Sequence, residues 1–448
     1  MNGASKTPRL RPLGALGIAL SLAGAFVGYK ASAQDVTITN ARLVLGDGSE
    51  PVEGGTVVVR GGNVVYAGAA SGAPAGGAAI DAKGAWVTPG IFATVTMLGL
   101  ADVTAVDETN DITARETPFS AALDAATAIN PTSQHILVHR AAGITRAATT
   151  MLPAGSIFAG QGAIIDLDGD AKPVMQARAF QMINLGEGGA DRAGGSRAAA
   201  HALLRAALRE AQALVGKNGI PETTEIGKDD EVLLTRFDAE ALVPVVTGRQ
   251  KLYVAVDRMA DIRAVLGLKA EYPKLDLVLV GATEGWLVAN DIAAAGVPVI
   301  ANGLIDLPET FEQLGATQSN AGRMARAGVK VAINASSLRD PRRLQQVAGN
   351  LVALTKMPGA SGMDWGKAFA AISSVPAEIS GMGGKAGVLK AGALGDVVMW
   401  TDDPLEAGSV PTRVFIGGVE QDLTNHQTRL RDRYIDLDES DRPKAYDW

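Results

Sequence analysis

The chain contains no cysteine. That excludes a disulfide framework, a thiolate nucleophile and a cysteine-bound zinc. Histidine is scarce as well: His135, His139, His201 and His426 are the only four in 448 residues. Aromatic residues make up 4% of the chain. The formal net charge is −7, which gives no electrostatic footprint for nucleic acid. Outside residues 13–28, no apolar run is long enough for a bilayer, so no membrane contact is expected once that segment is removed.

The first 33 residues have the order of an export signal. Lys6, Arg9 and Arg11 form a positive region, residues 13–28 an uncharged apolar one, and Ala31-Ser32-Ala33 a small-residue cleavage site. Cleavage after Ala33 would start the mature protein at Gln34 and send it to the periplasm of a Gram-negative host, or outside the cell. The apolar part falls short of the ~20 residues a spanning helix needs.

Apolar residues are 47% and charged residues 20%, ordinary for a globular protein. The two ends are rich in short strands. Residues 36–45, 56–60 and 64–68 are strand-like, and Gly61-Gly62-Asn63 signals a hairpin between the last two. The texture returns at residues 396–400 and 414–416. Between them, strand-length runs at 91–97, 144–149, 163–167, 252–256, 277–280, 297–301 and 329–334 are interspersed with helical stretches at 121–128, 133–142, 196–215, 259–266, 286–295, 311–327 and 342–354. This alternation predicts a parallel sheet with helices outside it. The predicted fold is α/β: a (β/α)₈ TIM-type barrel with a small β-sandwich domain formed from both termini. The expected division is a signal peptide (1–33), the small β domain's N-terminal part (34–88), the barrel (89–385), the small domain's C-terminal part (386–423) and a charged tail (424–448). Residues 186–195, polar and glycine-rich, predict a mobile loop or a flap over the barrel mouth. The tail, with Arg429, Arg431 and Arg433 on alternate residues, predicts a solvated surface segment.

Several motifs occur together in order. They are Ala85-Trp86-Val87-Thr88-Pro89-Gly90-Ile91-Phe92, Gly296-Val297-Pro298-Val299, Pro376-Ala377-Glu378-Ile379, the run from Gly387 through Gly392 to Asp396-Val397-Val398, Asp403-Pro404-Leu405, and Val414-Phe415-Ile416-Gly417-Gly418. Taken together, residues 36–421 resemble the amidohydrolase superfamily, in particular its imidazolonepropionase-like group. The resemblance implies a hydrolase of carbon–nitrogen bonds with one or two divalent metals at the barrel mouth, where metal-bound water becomes hydroxide. It places the strand-one His-x-His at Val95 and Met97, with Ala93 at the preceding acid. The strand-five ligands fall in Ala255-Val256-Asp257-Arg258, the strand-six histidine at Val280, and the strand-eight acid near Ser336. Valine, methionine and alanine are not ligands for such ions. No histidine lies between His201 and His426, where strands five to eight must run. The metal centre is therefore expected to be degenerate. No cofactor is expected, and a single zinc ion is the alternative.

His135 and His139 are spaced i, i+4 and share a helix face. Two histidines fall short of the three protein ligands of a zinc site, and Ile136 stands where a zincin carries glutamate, so both are read as structural or surface residues. His201 is read as a surface residue of a long amphipathic helix. Residues 155–162, glycine-rich, are read as a tight turn rather than an anion cradle, because no Lys-Ser/Thr follows. The polar candidates at the mouth are Asp257, Glu284 and Asn334 at strand ends, and Thr104, Glu108, Thr109, Asn110 and Asp111 after strand one. A carboxylate pair such as Asp257 and Glu284 suits acid–base chemistry if burial separates its two pKa values. Equally, Asp257 can pair with Arg258 or a main-chain amide, and Glu284 can cap a helix.

Three readings follow. In the first, an exported protein with a degenerate metal centre and lost or altered hydrolase activity binds a small molecule, a peptide or a protein partner, such as another copy or an intact amidohydrolase relative. In the second, an active hydrolase of dipeptide or non-peptide C–N bonds uses the residual carboxylates and at most one metal. The third is a scaffold whose Val95 and Met97 complete an apolar core.

Overall fold

A computed structural model describes residues 34–103, 105–216, 233–334 and 340–435. The expected signal peptide, Thr104, Ser336 and the end of the charged tail lie outside these residues. Strands β1 (Val36–Leu43), β2 (Val52–Arg60), β3 (Asn63–Ala69), β4 (Ala78–Asp81) and β5 (Trp86–Pro89) open the small domain. The hairpin at residues 61–63 joins β2 to β3, and Gly61 and Gly62 take the positive φ that such a turn requires. At the other end of the chain, β14 (Val397–Trp400), β15 (Pro411–Ile416) and β16 (Val419–Glu420) complete the sheet in the order β16-β15-β14-β5-β1-β2-β3, with β4 on β1. Residues from both ends, such as Ile38, Leu43, Val87, Val397 and Phe415, share its core.

The second eight-stranded sheet is the barrel: β6 (Ile91–Thr96), β7 (Ile144–Thr149), β8 (Phe158–Asp166), β9 (Val174–Asn184), β10 (Lys251–Val256), β11 (Leu277–Gly281), β12 (Val299–Asn302) and β13 (Val331–Asn334). They pair in sequence order, and β13 returns beside β6, so the ring nearly closes. Outside it stand α1 (Gln134–Ala141), α2 (Glu187–Arg192), α3 (Arg197–Ala213), α4 (Arg236–Val246), α5 (Met259–Glu271), α6 (Ala289–Ala295), α7 (Asn320–Arg326) and α8 (Leu344–Leu354). Then come α9 (Trp365–Ala370), α10 (Ser374–Ile379) and α11 (His426–Tyr434). Each inner strand alternates: Tyr253 and Val278 face the axis, while Leu252, Val254, Leu277 and Leu279 join the helix-facing core.

Four local expectations are corrected. The sheet is not wholly parallel, because β8 runs antiparallel to both β7 and β9 without intervening helices. Residues 121–128 form no α-helix, only a 3-10 turn at Ala125–Ala128. Residues 186–195 hold the helix α2, whose start is fastened by Asn184 Oδ1 accepting from the amides of Gly186 and Gly189. The long helix expected at 311–327 is split into the turn Phe311–Gln313 and α7, because Gly315 turns away to bond Glu284 and Trp286.

One buried ion pair locks the small domain to the barrel, and one buried hydrogen bond joins that domain's two chain ends. Arg146 on β7 grips Asp396 through Nε–Oδ2 (2.7 Å) and Nη2–Oδ1 (2.8 Å). Within the small domain's central pair, Trp400 Nε1 donates to Thr88 Oγ1 at 2.9 Å across 312 positions of sequence.

Candidate functional site

In a parallel barrel, side chains that do chemistry stand at the strand C-terminal ends. Here those ends are largely apolar. Val95 is 2% exposed and belongs to the axial cluster with Phe92, Phe180, Met182, Tyr253 and Val280. It reaches the axis through an irregularity rather than by alternation: its φ is +54°, and the β6–β7 register slips between Ala93 and Thr96. A β-branched residue in the left-handed region costs about 1–3 kcal/mol. Met97 is buried just past the strand. Ala255 packs against the same axial cluster. Phe180 and Tyr253 stack there at 4.2 Å between ring centres, and burial raises the pKa of the Tyr253 phenol above its usual value.

The polar candidates are engaged with the backbone. Asp257 Oδ1 accepts from Thr283 N (2.9 Å) and Thr283 Oγ1 (2.6 Å), and its Oδ2 from Gln313 Nε2 (3.3 Å). Arg258 pairs with Asp261 instead, at 2.7 Å. Glu284 Oε2 accepts from Met259 N (2.8 Å), which caps α5, and Oε1 accepts from Gly315 N (2.9 Å). Asn334 is buried at the end of β13, in register with Asn302. Glu108 and Asp111 lie exposed on the loop after β6. The fold therefore joins Asp257 and Glu284 through the segment 283–284 and the loop after β12, and does not bring Glu108 or Asp111 into that network.

Sequence reasoning missed the loop after β12. Glu312 Oε2 accepts from Glu187 N (2.7 Å) and from Arg197 Nη2 (3.1 Å), and Arg197 Nε reaches Asp261 (2.7 Å). Burial, with Asp257 and Glu187 nearby, raises the pKa of Glu312. With Gln313 on Asp257 and Gly315 on Glu284, this loop spans the ends of β9, β10 and β11. Glycine at 315 was the one local hint of a helix break.

Among the described residues, the positions that the resemblance assigns to metal ligands do not make up a centre of the amidohydrolase kind: they hold one carboxylate, Asp257, whose oxygens are bonded to Thr283 and Gln313. Val95 and Ala255 offer no lone pair, Val280 none either, and Met97 only a soft thioether. Two pockets lie elsewhere. One, of about 220 Å³, lies between the loop after β6, the loop before β8 and α4; Arg115, Phe119, Ser156, Phe158, Leu203 and Leu234 line it. The other, of about 350 Å³, lies on the flank of the barrel between α1 and α11 and holds three of the four histidines: His135, His139 and His426. His201 is half-buried on α3.

No family model matches the chain. A stretch of 60 residues is 40% identical to a protein named as an amidohydrolase from Hapsidospora irregularis, covering 13% of this chain and only 6% of that relative's length. Solved structures align over far more. An amidohydrolase from Thermotoga maritima superposes on 86% of this chain and 99% of its own with a TM-score of 0.73 at 20% identity. Molinate hydrolase aligns with 88% of this chain and 95% of its own, at a TM-score of 0.51 and 16% identity. A prolidase complexed with N-methylphosphonate-L-proline aligns with 86% and 99%, at 0.50 and 15%. With its nearly closed barrel and its terminal β domain, this chain has the amidohydrolase fold.

Proposed function

We propose that this chain is an exported binding protein built on the amidohydrolase frame, with metal-dependent hydrolysis lost or altered. The carrying observation is the axial cluster: Val95 and Val280 stand buried among Phe92, Phe180 and Tyr253 where the resemblance places metal-bound imidazoles. An apolar lining neither holds a divalent ion nor ionises a water molecule. Asp257 and Glu284 have structural work in the same reading: Asp257 accepts from Thr283 and Gln313, and Glu284 from the amides of Met259 and Gly315. The pocket of about 220 Å³ supplies what a small organic ligand or a peptide side chain needs: apolar walls at Phe119, Phe158 and Leu234, with Arg115 and Ser156 as polar fixtures. A second copy, or an intact amidohydrolase relative, is the protein partner in this reading.

Export rests on the basic, apolar and small-residue order of residues 1–33. Among the described residues no helix is long and apolar enough to cross a membrane. N-terminal sequencing after expression in a Gram-negative host should read from Gln34; an intact N-terminus would overturn the export claim. The central test is a panel of dipeptides and cyclic amides offered to the purified protein with zinc, manganese or ferrous ion. No turnover is expected, and thermal-shift screening should find a stabilising small molecule. Metal-dependent turnover abolished in Asp257→Asn would restore the hydrolase reading.

A further inference from the structure

The flank pocket has a chemistry of its own. His139 on α1 is 2% exposed. Its Nδ1 lies 2.6 Å from the main-chain oxygen of His135. A carbonyl only accepts, so a proton sits on Nδ1, and Nε2 is the ring nitrogen left to face Asp340. That nitrogen is buried without a hydrogen-bond partner. Its neighbour is Asp340 Oδ1 at 3.5 Å, beyond a good hydrogen bond. A second buried atom without a partner belongs to a residue that lines the pocket: Asp102 Oδ1, whose sister Oδ2 accepts from Asn130 at 2.9 Å. An imidazole nitrogen and a carboxylate oxygen are both electron-pair donors. Leaving two such atoms buried and unmatched is costly.

We propose that this pocket is a site for a divalent transition-metal ion, zinc first, bound by His135, His139, Asp102 and Asp340. Two ligands at about 2.0–2.2 Å from a tetrahedral zinc stand about 3.4 Å apart, the observed separation of His139 Nε2 and Asp340 Oδ1. The carbonyl holding Nδ1 of His139 is the outer support that a metal-bound imidazole requires. His135 follows at the i−4 position, with ring centres 6.3 Å apart. Among the described residues no three histidine or acidic groups stand ready-made around one point, so the ion must draw His135 and Asp102 inward. Arg342 and Arg343 each hold one oxygen of Asp340, at 2.7 and 3.1 Å. A carboxylate has about four lone-pair positions, so a metal bond remains open to it. Exposed His426, 3.2 Å from Gln134, edges the pocket from α11. The sequence lacked a third ligand near the histidine pair; the fold brings Asp102 and Asp340 to the same pocket.

This inference does not rest on the proposed loss of hydrolysis. The untagged full chain is titrated with Zn²⁺ by calorimetry and with Co²⁺ by visible absorption. One equivalent is expected, with tetrahedral cobalt bands. His139→Gln and Asp340→Asn should abolish binding and His135→Gln should weaken it at least tenfold, while His201→Gln should bind as the parent does. If His139→Gln fails to fold, the half-buried His135→Gln and Asp102→Asn decide alone. Absence of binding, or one equivalent undiminished in His135→Gln and Asp102→Asn, overturns the site. Zinc that persists in those variants and supports dipeptide hydrolysis also overturns the binding-protein reading; zinc lost in them without any turnover leaves that reading standing.

Discussion

The barrel axis and the flank beside α11 differ in what their side chains can donate. On the axis, the positions that the resemblance reserves for metal carry Val95, Ala255 and Val280, packed against Phe180 and Tyr253. On the flank, His135, His139 and His426 meet two aspartates in a solvent-reachable pocket. One fold thus packs apolar side chains along its axis and gathers three of its histidines on its flank. Fold and chemistry are separable, and function has to be argued from the side chains.

Four measurements break or sharpen that contrast. Phe180→Ala has the largest expected effect, because it removes a fully buried ring stacked on Tyr253. Denaturant unfolding should show a loss of about 3–5 kcal/mol, with zinc stoichiometry unchanged; lost zinc binding in a folded variant would erase the distinction between axis and flank. Asp257→Ala comes next: it strips the Thr283 amide and hydroxyl of their acceptor, at about 1–3 kcal/mol. A variant as stable as the parent would show that Asp257 is held in reserve for something other than structure.

The third is a pH dependence at Asp166, where burial raises the carboxyl to about 7 against the pull of Arg146. Between the ordinary value of 3.8 and about 7, the native state holds the proton more tightly than the unfolded chain. This contribution is full below pH 4 and disappears as pH rises through 7, so stability should fall between pH 5 and pH 8 by about 1 kcal/mol or more. Asp166→Asn should flatten that slope in thermal melts; an unchanged slope assigns it to another group. The smallest effect is His135→Gln, expected within about 0.5 kcal/mol of the parent without metal. Its melting temperature should rise less on addition of zinc than the parent's does.

Much of the fold was legible because apolar runs of strand length recur between helical stretches. The strand expected at 144–149 is β7, and that at 252–256 lies within β10. Strand direction was not legible. An apolar run such as that of β8 reads alike both ways, and only three-dimensional contact shows Gly162 passing under the Phe180 ring, where a Cβ would lie 2.1 Å from it. Helix α4 went unseen because Pro244 interrupts its pattern. Asp257 and Glu284 were found because a polar residue after a strand is conspicuous. Glu312 and Gln313 were not, since no local signal says that their loop folds back over three strand ends. The pairing of His139 with Asp340 spans too much sequence for any spacing rule.

The contact between Thr88 and Trp400 sets an order of events. Strand β5 is made early in synthesis, and its partner β14 emerges only after the entire barrel. Until then β5 presents an unpaired edge, an invitation to wrong partners. The terminal sheet is thus a closing step, completed once the last strands are free of the machinery that makes them. A chain truncated before residue 397 would be left with a barrel lacking its clasp and an adhesive strand edge at β5.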